Sequence, residues 1–178
     1  EECYSQRASA LGEDHPDTLT SLNNLSDTLR ELGFQQRAEA LLRKCLSKQE
    51  ALLGRHHEST LTTKGNLAQC LIESENEDTG EDLLIECFGE AREHLGDLHP
   101  LSLMLLCNLG ALYLRIGDYE SAEPILAKCM DCYEAELGTN HPKTSEARWG
   151  LAEALSAMKR NAEAIPLRRR ELAWCREQ

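Results

Sequence analysis

Aromatic residues are scarce in this sequence. They make up 4% of the 178 residues, whereas apolar residues of all kinds make up 41%. The core must therefore be built mainly from leucine and alanine, which are strong helix formers. Only five prolines occur and no stretch is rich in glycine and serine, so we expect neither a flexible linker nor a second type of domain. The composition predicts a helical chain with a packed core and excludes a disordered one.

Basic residues are also in the minority. Lys and Arg number 19 against 31 Asp and Glu, which gives a formal net charge of −12. Nucleic acids and anionic membranes are polyanions that repel such a chain, so we predict neither as a partner. No apolar run approaches the ~20 residues that span a bilayer, and the first residues lack the basic and apolar regions of a signal peptide. We therefore expect a cytoplasmic protein.

The motifs of common catalytic sites are missing as well. The sequence contains no G-x-x-x-x-G-K-[ST], no H-E-x-x-H and no G-x-S-x-G. We therefore predict that this chain is not an enzyme and that it has no catalytic residues and no cofactor.

What the sequence does contain is a repeat of 42 residues. A Leu-Gly pair marks each copy, with its leucine at Leu11, Leu53, Leu95 and Leu137. A histidine follows at His15, His57, His99 and His141, and proline comes next in three of the four copies. Residues at equivalent positions of the four copies form a column. One column holds Asn24, Asn66 and Asn108, with Gly150 in the fourth copy. A further column holds the small residues Ala38, Gly80, Ala122 and Ala164. Agreement at so many positions identifies a repeat architecture.

Each copy predicts two helices joined by a short turn. In the third copy, leucines recur at helical spacing after His99-Pro100, where proline is well tolerated at the first helical position. This helix ends near Gly117, and a second helix runs from about Tyr119 to Leu137. In the first copy the same signals predict helices from about Pro16 to Leu32 and from about Arg37 to Leu53. The predicted fold is all-α, with stacked antiparallel helix pairs.

The repeat divides most of the chain into four units. They span residues 15–56, 57–98, 99–140 and 141–178. Residues 1–14 match the end of the second helix of a preceding unit, because Cys3 lies 42 residues before Cys45. We therefore expect the array to continue upstream, in a longer protein whose neighbouring domains could serve as partners.

The third unit resembles a tetratricopeptide repeat. The resemblance rests on Leu106-Cys-Asn-Leu-Gly-Ala-Leu-Tyr113 and on Gly117-Asp-Tyr-Glu-Ser-Ala-Glu123. Tetratricopeptide units usually span ~34 residues. The longer period, the Leu-Asn-Asn-Leu of residues 22–25 and the Leu-Gly-x-x-His-Pro joint are similar to kinesin light chains and to the arrays behind NB-ARC-type NTPase domains. The resemblance covers nearly the whole chain and implies a right-handed α-solenoid, or superhelix, whose inner surface consists of the first helices of the units.

Two units depart from this pattern. The second has Glu75 in place of the turn glycine and Glu77 in place of the aromatic residue, and the fourth departs at the same two positions. Lys64 and Arg148 occupy a position that is leucine in the other two units. Because a charge is costly to bury, we expect the second and fourth units to pack less well.

Cysteine and histidine are potential metal ligands, but their positions follow the repeat. Cys129 and Cys132 form a C-x-x-C without a second ligand pair at the spacing of a zinc site. Cys129 also shares a column with Cys3, Cys45 and Cys87, where a small residue lets helices approach, so we expect structural, reduced thiols. Equivalent histidines of successive units should lie ~10 Å apart, too far to share one ion. We predict that they begin helices and that no metal is bound.

The asparagine column is the strongest candidate for function. Asparagine has low helix propensity, so its recurrence on a first helix requires a reason. The resemblance implies that this position lines the concave groove, where an amide can both donate to and accept from a peptide bond. The alternative is an amide that bonds a neighbouring helix. The predicted groove residues are Asn23, Asn24, Asp27, Arg30, Asn66, Gln69, Asn108 and Trp149.

Trp149 admits two interpretations. It is either an exposed aromatic anchor for a ligand or a residue packed against the last helix. If Trp149 is an exposed anchor, the sequence predicts a protein-interaction scaffold that holds a peptide segment of a partner in its groove. The alternatives are a regulatory or sensor array of a larger NB-ARC-type signalling ATPase, and a structural self-association module.

Overall fold

The chain is helical throughout the part that the structure describes. The structure is a computed structural model that describes residues 2–74 and 76–177, so the predicted change at Glu75 lies outside it. Within these ranges nine α-helices and no strands are found: α1 (Glu2–Leu11), α2 (Pro16–Glu31), α3 (Gln35–Leu53), α4 (Glu58–Ile72), α5 (Glu77–Leu95), α6 (Pro100–Ile116), α7 (Tyr119–Leu137), α8 (Pro142–Ala157) and α9 (Asn161–Glu177). The predicted all-α class is confirmed.

The helices form two compact units, one up to Asp97 and one from Leu98 onward. In the first, α1 to α5 each pack against the next helix, and α2 also contacts α4. In the second, α6 to α9 pack in the same order, and α6 also contacts α8. The first helices of successive repeats are therefore neighbours within each unit. None of the helices in the described residues combines the length and apolar character needed to cross a membrane.

The predicted helix boundaries agree closely with the structure. The second helix of the third repeat begins at Tyr119 and ends at Leu137, as predicted, and α2 begins at Pro16. The largest difference is at α3, which begins at Gln35 rather than near Arg37. Local signals suffice here because proline, glycine and the apolar period each act on the backbone within one turn.

Leucine and alanine fill the core of each unit. In the first, Leu29 and Leu42 of one repeat pack with Leu67 and Leu71 of the next. In the second, Leu126 packs with residues of α8 and α9, which include Leu151, Ala154, Leu155 and Ala164. The small-residue column lies inside these clusters, where a larger side chain would separate the helices.

Three of the four cysteines in the repeated column are internal, whereas Cys3 on α1 is exposed. Cys45, Cys87 and Cys129 are fully buried. The Cys45 Sγ donates to the carbonyl of Leu19 at 3.4 Å, and the Cys87 Sγ donates to that of Leu61 at 3.2 Å. Burial raises the pKa of both thiols, that of Cys87 to about 12. These cysteines therefore pack helix pairs together, the role that the repeat pattern predicted.

The Leu-Gly-x-x-His-Pro joint turns the chain between repeats. Its glycines have φ between +89° and +100°, a region that disfavours residues with a Cβ. Each repeat histidine is an N-cap whose Nδ1 accepts from the backbone N–H two residues later, at 3.1 to 3.2 Å. The helix-start interpretation of the histidines is confirmed.

A hydroxyl column that the sequence analysis missed completes the joint. Thr18, Thr60, Ser102 and Thr144 are buried, each three residues after the histidine. Thr60 donates to the carbonyl of Gly54, and Thr144 donates to that of Gly138, both at 2.9 Å. In these two repeats the hydroxyl therefore ties the start of the repeat to the end of the previous one, whereas the hydroxyls of Thr18 and Ser102 have no hydrogen-bond partner among the described residues.

Replacement of His57 by alanine should lower the free energy of unfolding by about 1 kcal/mol, because the N-cap acceptor for Ser59 is lost. His57→Asn should retain most of the stability, because the asparagine side chain is a strong N-cap acceptor. Urea denaturation of the two variants measures the difference. Equal losses in both would show that the histidine acts through packing and not as a cap.

The two charged residues at the leucine column are buried, with their charges paired. Lys64 is 7% exposed, and its Nζ lies 2.8 Å from Glu90 and 3.0 Å from Glu86. Arg148 is 2% exposed and lies 3.3 Å from Glu171. Each cation therefore has a carboxylate from the second helix of its own repeat. Lower stability of these two repeats remains a prediction.

Candidate binding surface

The first unit brings five of the predicted groove residues together on two helices. Asn23, Asp27 and Arg30 lie on α2, and Asn66 and Gln69 lie on α4, the helix that packs beside it. The Asn66 Nδ2 donates to Asn23 Oδ1 at 3.3 Å. The alternative considered for the asparagine column, an amide that bonds a neighbouring helix, therefore occurs at Asn66. This bond uses one of its two N–H groups and leaves its oxygen available.

Asn24 differs from Asn66 in its surroundings. It is exposed on α2, and within the described residues its side-chain amide has no partner. Its backbone carbonyl is occupied, because the hydroxyl of Thr28 donates to it at 3.0 Å. The free amide can therefore bond an added chain without breaking an existing contact.

Arg30 is the centre of a polar network across the same two helices. It lies 2.7 Å from Asp27 and 2.6 Å from Glu73, to which the Gln69 amide donates at 2.8 Å. Burial acts to lower the pKa of Arg30, but hydrogen bonds to Glu73 and Asp27 outweigh it and raise the pKa. Arg30 is therefore engaged within the protein and fixes α2 against α4 rather than offering a free cation.

Glu73 is the member of this network that sequence analysis did not identify. It is the residue after the last turn of α4. Its column holds Glu31, Glu73, Arg115 and Ala157, so the repeat carries no signal for a conserved role. Two carboxylates share one guanidinium, which leaves this surface negatively charged.

The second unit brings Asn108 and Trp149 to one cavity of about 150 Å³. Asn108 lies on α6 and Trp149 on α8, helices that contact each other. The remaining lining includes Met104, Cys107, Ala111, Leu114, Tyr133, Lys143 and Glu146. The cavity is therefore mostly apolar, with an amide and an indole at its border.

Trp149 is 59% exposed, a large value for so apolar a side chain. It also borders a cavity of about 270 Å³ between α8 and α9, next to Ala152, Leu167 and Leu172. The indole therefore lies at the edge of α9 without being buried against it. Of the two interpretations of Trp149, the one in which its side chain is exposed agrees with this position, and the one in which it packs against the last helix does not.

Cys107 is half-buried in the cavity beside Asn108. The neighbouring Cys129 thiol is the main cause that holds the pKa of Cys107 below its ordinary value, although burial opposes it. The Cys107 thiol and burial raise the pKa of Cys129. Sequence analysis noted Cys107 only as the residue before Asn108.

The repeats match known family models along most of the chain. One tetratricopeptide repeat model matches residues 59–135 and again 101–176, and a second matches residues 18–59. No curated protein matches the chain.

Solved structures show the same fold. A Podospora anserina protein assigned as a kinesin light chain, with nearly identical TPR-like repeats, has a TM-score of 0.71 at 24% identity and is matched over 98% of this chain and 82% of its own. BtubC (BKLC) from P. vanneervenii has a TM-score of 0.81 at 18% identity, over 98% of this chain and 71% of its own. At these identities the likeness establishes the fold alone.

Arrays of these repeats generally mediate interactions between proteins, and their fold is typically a non-catalytic scaffold with an extended concave surface. The matched residues extend from 18 to 176, and the matched solved structures are arrays of the kinesin-light-chain type. The chain belongs to the tetratricopeptide repeat family, and it is an all-α solenoid like those of kinesin light chains.

Proposed function

We propose that the chain is a non-enzymatic scaffold that binds an extended peptide segment of a protein partner on the surface of its first helices. The observation that carries the proposal is the grouping of predicted residues in the first unit, where Asn23, Asn24 and Asn66 lie on the adjacent helices α2 and α4. Amides grouped in this way can follow a peptide backbone, because each can donate and accept.

The Asn23–Asn66 bond supports this function rather than competing with it. It orients the Asn66 side chain and leaves its oxygen able to accept from a peptide N–H. The salt bridges of Arg30 fix α2 relative to α4 in the same region. A surface that is ordered before binding loses less conformational entropy when the ligand arrives.

The charge of the chain indicates which peptides are favoured. Residues 1–97 carry 20 Asp and Glu against 9 Lys and Arg, whereas residues 98–178 carry 11 against 10. A basic segment would be attracted to the first unit, and an apolar side chain would fit beside Trp149 in the second. We therefore infer that the first unit favours a basic segment and that the second favours a segment with an apolar anchor. The reduced, packing role of the buried cysteines is consistent with a cytoplasmic location.

Replacing Asn66 or Asn108 by alanine should weaken peptide binding by about 1 kcal/mol each, roughly fivefold in Kd, because a hydrogen bond to the ligand is lost. The ligand for this test is a peptide selected from a random display library on the wild-type chain. Isothermal titration measures its affinity for each variant, and circular dichroism verifies that the helices remain.

Gln36→Ala is the matched control, since it removes an exposed amide from α3, a second helix of a repeat. It should leave the affinity unchanged. Unchanged affinity in the Asn66→Ala/Asn108→Ala double variant, with the helices intact, would remove this surface from the function.

Light scattering separates this proposal from the two other candidates. A structural self-association module would show a mass that rises with concentration and would select no peptide. A regulatory array in a larger signalling ATPase would bind a segment of its own protein, so the selected peptide would resemble a neighbouring domain of that chain.

A further inference from the structure

A cleft of about 750 Å³ lies between two turns of the first unit, the one that joins α2 to α3 and the one that joins α4 to α5. Phe34, which lines it, is 51% exposed. The lining also includes Glu39, near the start of α3, and Glu73, Ser74 and Asn76 of the second turn. We refer to this opening as the turn cleft. Apart from Glu73, the binding surface described above does not include it.

The second unit shows what occupies the equivalent space there. Two repeat lengths after Gln35, Ser74 and Asn76 of the turn cleft stand Tyr119, Met158 and Arg160. Tyr119 and Met158 pack against the core of the second unit. The Arg160 guanidinium lies 2.6 Å from Glu123, a residue of α7. The first unit has a smaller, polar side chain at each of the three positions, and the turn cleft is the space that results.

The carboxylate that binds this guanidinium has a counterpart in the turn cleft. Glu39 stands two repeat lengths before Glu123. It forms an ion pair with Arg43, which is one turn later on the same helix and 57% exposed, and such exposed pairs are weak. A carboxylate can accept about four hydrogen bonds, so Glu39 retains the capacity to bind a second cation. The turn cleft therefore has the acceptor that Arg160 uses in the second unit, but it has Asn76 in place of the arginine.

The charge near the turn cleft favours a cation. Glu73 also lines it, and Glu73 and Asp27 share the guanidinium of Arg30. Among the described residues of the lining, Arg37 is the one cation, and its guanidinium lies 5.9 Å from the centre of the Phe34 ring. The unit as a whole carries 20 acidic against 9 basic residues. A positively charged side chain would therefore be attracted to this end of α2 and α4.

We propose that the turn cleft binds an arginine side chain of a partner segment, which pairs with Glu39 as Arg160 pairs with Glu123. The inference rests on the proposed function, and Glu73 connects the two, because it belongs both to the cleft and to the polar network between α2 and α4. Arginine suits the cleft better than lysine, because its planar guanidinium can form two parallel hydrogen bonds with one carboxylate and can lie against an aromatic ring such as Phe34. The inference specifies the residue by which a basic segment is recognised.

The test uses N-acetyl-arginine amide as the probe and follows the backbone amide signals of the full chain by NMR. We expect shifts that grow with probe concentration at the amides of residues 33–39, 73, 74 and 76. N-acetyl-citrulline amide, which has a similar shape but no charge, should cause none at the same concentration. The absence of shifts at these residues with the arginine probe, or equal shifts with the citrulline probe, would overturn the inference.

Asn76→Arg gives the first unit the arginine that the second unit has at Arg160. Asn76 is exposed and its side chain makes no N-cap bond, so α5 should remain intact. The new side chain should occupy the cleft and abolish the shifts that the arginine probe causes. Ser9→Arg, which makes the same change of charge on α1, should bind the probe as the wild type does. Unaltered binding in Asn76→Arg would place the probe outside the cleft and overturn the inference.

Glu39→Gln removes the charge of the acceptor but keeps its shape. It should weaken binding of the arginine probe about tenfold, because a hydrogen bond between charged groups is lost. Gln36→Ala also changes the lining of the cleft, but it removes no charge and should leave the affinity for the probe unchanged. Full affinity for the probe in Glu39→Gln would contradict the proposed pairing.

The library-selected peptide separates this inference from the proposed function. If Asn66→Ala weakens binding of that peptide and Asn76→Arg does not, the cleft has no part in recognition, and the inference fails while the proposed function stands. If the arginine probe binds the cleft but Asn66→Ala/Asn108→Ala leaves the peptide affinity unchanged, the proposed function fails while the guanidinium site stands.

Discussion

Glu171→Ala should lower the free energy of unfolding of the second unit by about 3 kcal/mol, because it leaves a buried guanidinium without its carboxylate. Arg148 is 2% exposed, and besides its contact with Glu171 it donates to the carbonyl of Thr139 at 2.6 Å. Its Nε has no hydrogen-bond partner among the described residues. Ser145 would also lose a bond, since its hydroxyl contacts the same carboxylate. Urea denaturation followed by circular dichroism measures the loss.

The double variant Arg148→Leu/Glu171→Cys is the matched control. It gives the fourth repeat the residues that the third has at Leu106 and Cys129. Replacing a buried ion pair with apolar residues of suitable volume is often neutral or stabilising. The double variant should therefore recover most of the stability that Glu171→Ala loses. If the double variant is as unstable as Glu171→Ala, the unpaired charge does not cause the loss of stability. The loss would then come from the changed shape of the cavity beside α9.

Gly80→Ala should destabilise the first unit by about 1 to 3 kcal/mol, the usual cost of overpacking. A Cβ at this position would lie 2.6 Å from the backbone nitrogen of Ile72 and 2.9 Å from the carbonyl oxygen of Ala68. Both are backbone atoms of α4, so the whole helix would have to move. The sequence suggests the opposite result, because the same column is Ala38, Ala122 and Ala164 in the other repeats and alanine favours helix.

Gly89→Ala on the same helix isolates the contact from helix propensity. No atom lies within 4 Å of a Cβ built at Gly89. This variant should gain about 1 kcal/mol, the propensity difference between glycine and alanine. A gain at both glycines in thermal denaturation would show that α4 and α5 tolerate a wider separation and would contradict the overpacking argument.

The repeat and its helices were predictable from the sequence because their signals are local. A proline at the first helical position, a histidine cap and a glycine with positive φ all act on the backbone within a few residues. These signals recur every 42 residues, so each repeat confirms the others. Glu77, where an aromatic residue was expected, still begins a helix, because the apolar period of α5 continues after it.

The contacts of individual side chains were not predictable in the same way. Asn66 was predicted on the groove face, but its bond to Asn23 joins residues 43 apart in the chain. Arg148 was noted as a departure from the leucine column, and its pair with Glu171 joins residues 23 apart on different helices. Helical periodicity identifies the face that a residue occupies but not the residue that it meets on a neighbouring helix, since that depends on how far the two helices are displaced along their axes.

The sequence by itself determined the all-α repeat architecture, the helix boundaries and the family, because apolar periodicity and turn residues specify them locally. Only the tertiary structure decided that Lys64 and Arg148 are buried with paired charges, that Arg30 is held by Asp27 and Glu73, and that Gly80 must remain glycine. In each case the decisive partner lies on another helix or at its end. Packing at interatomic distances of a few ångströms, to which the repeat pattern is insensitive, determines whether such a residue stabilises the fold or disrupts it.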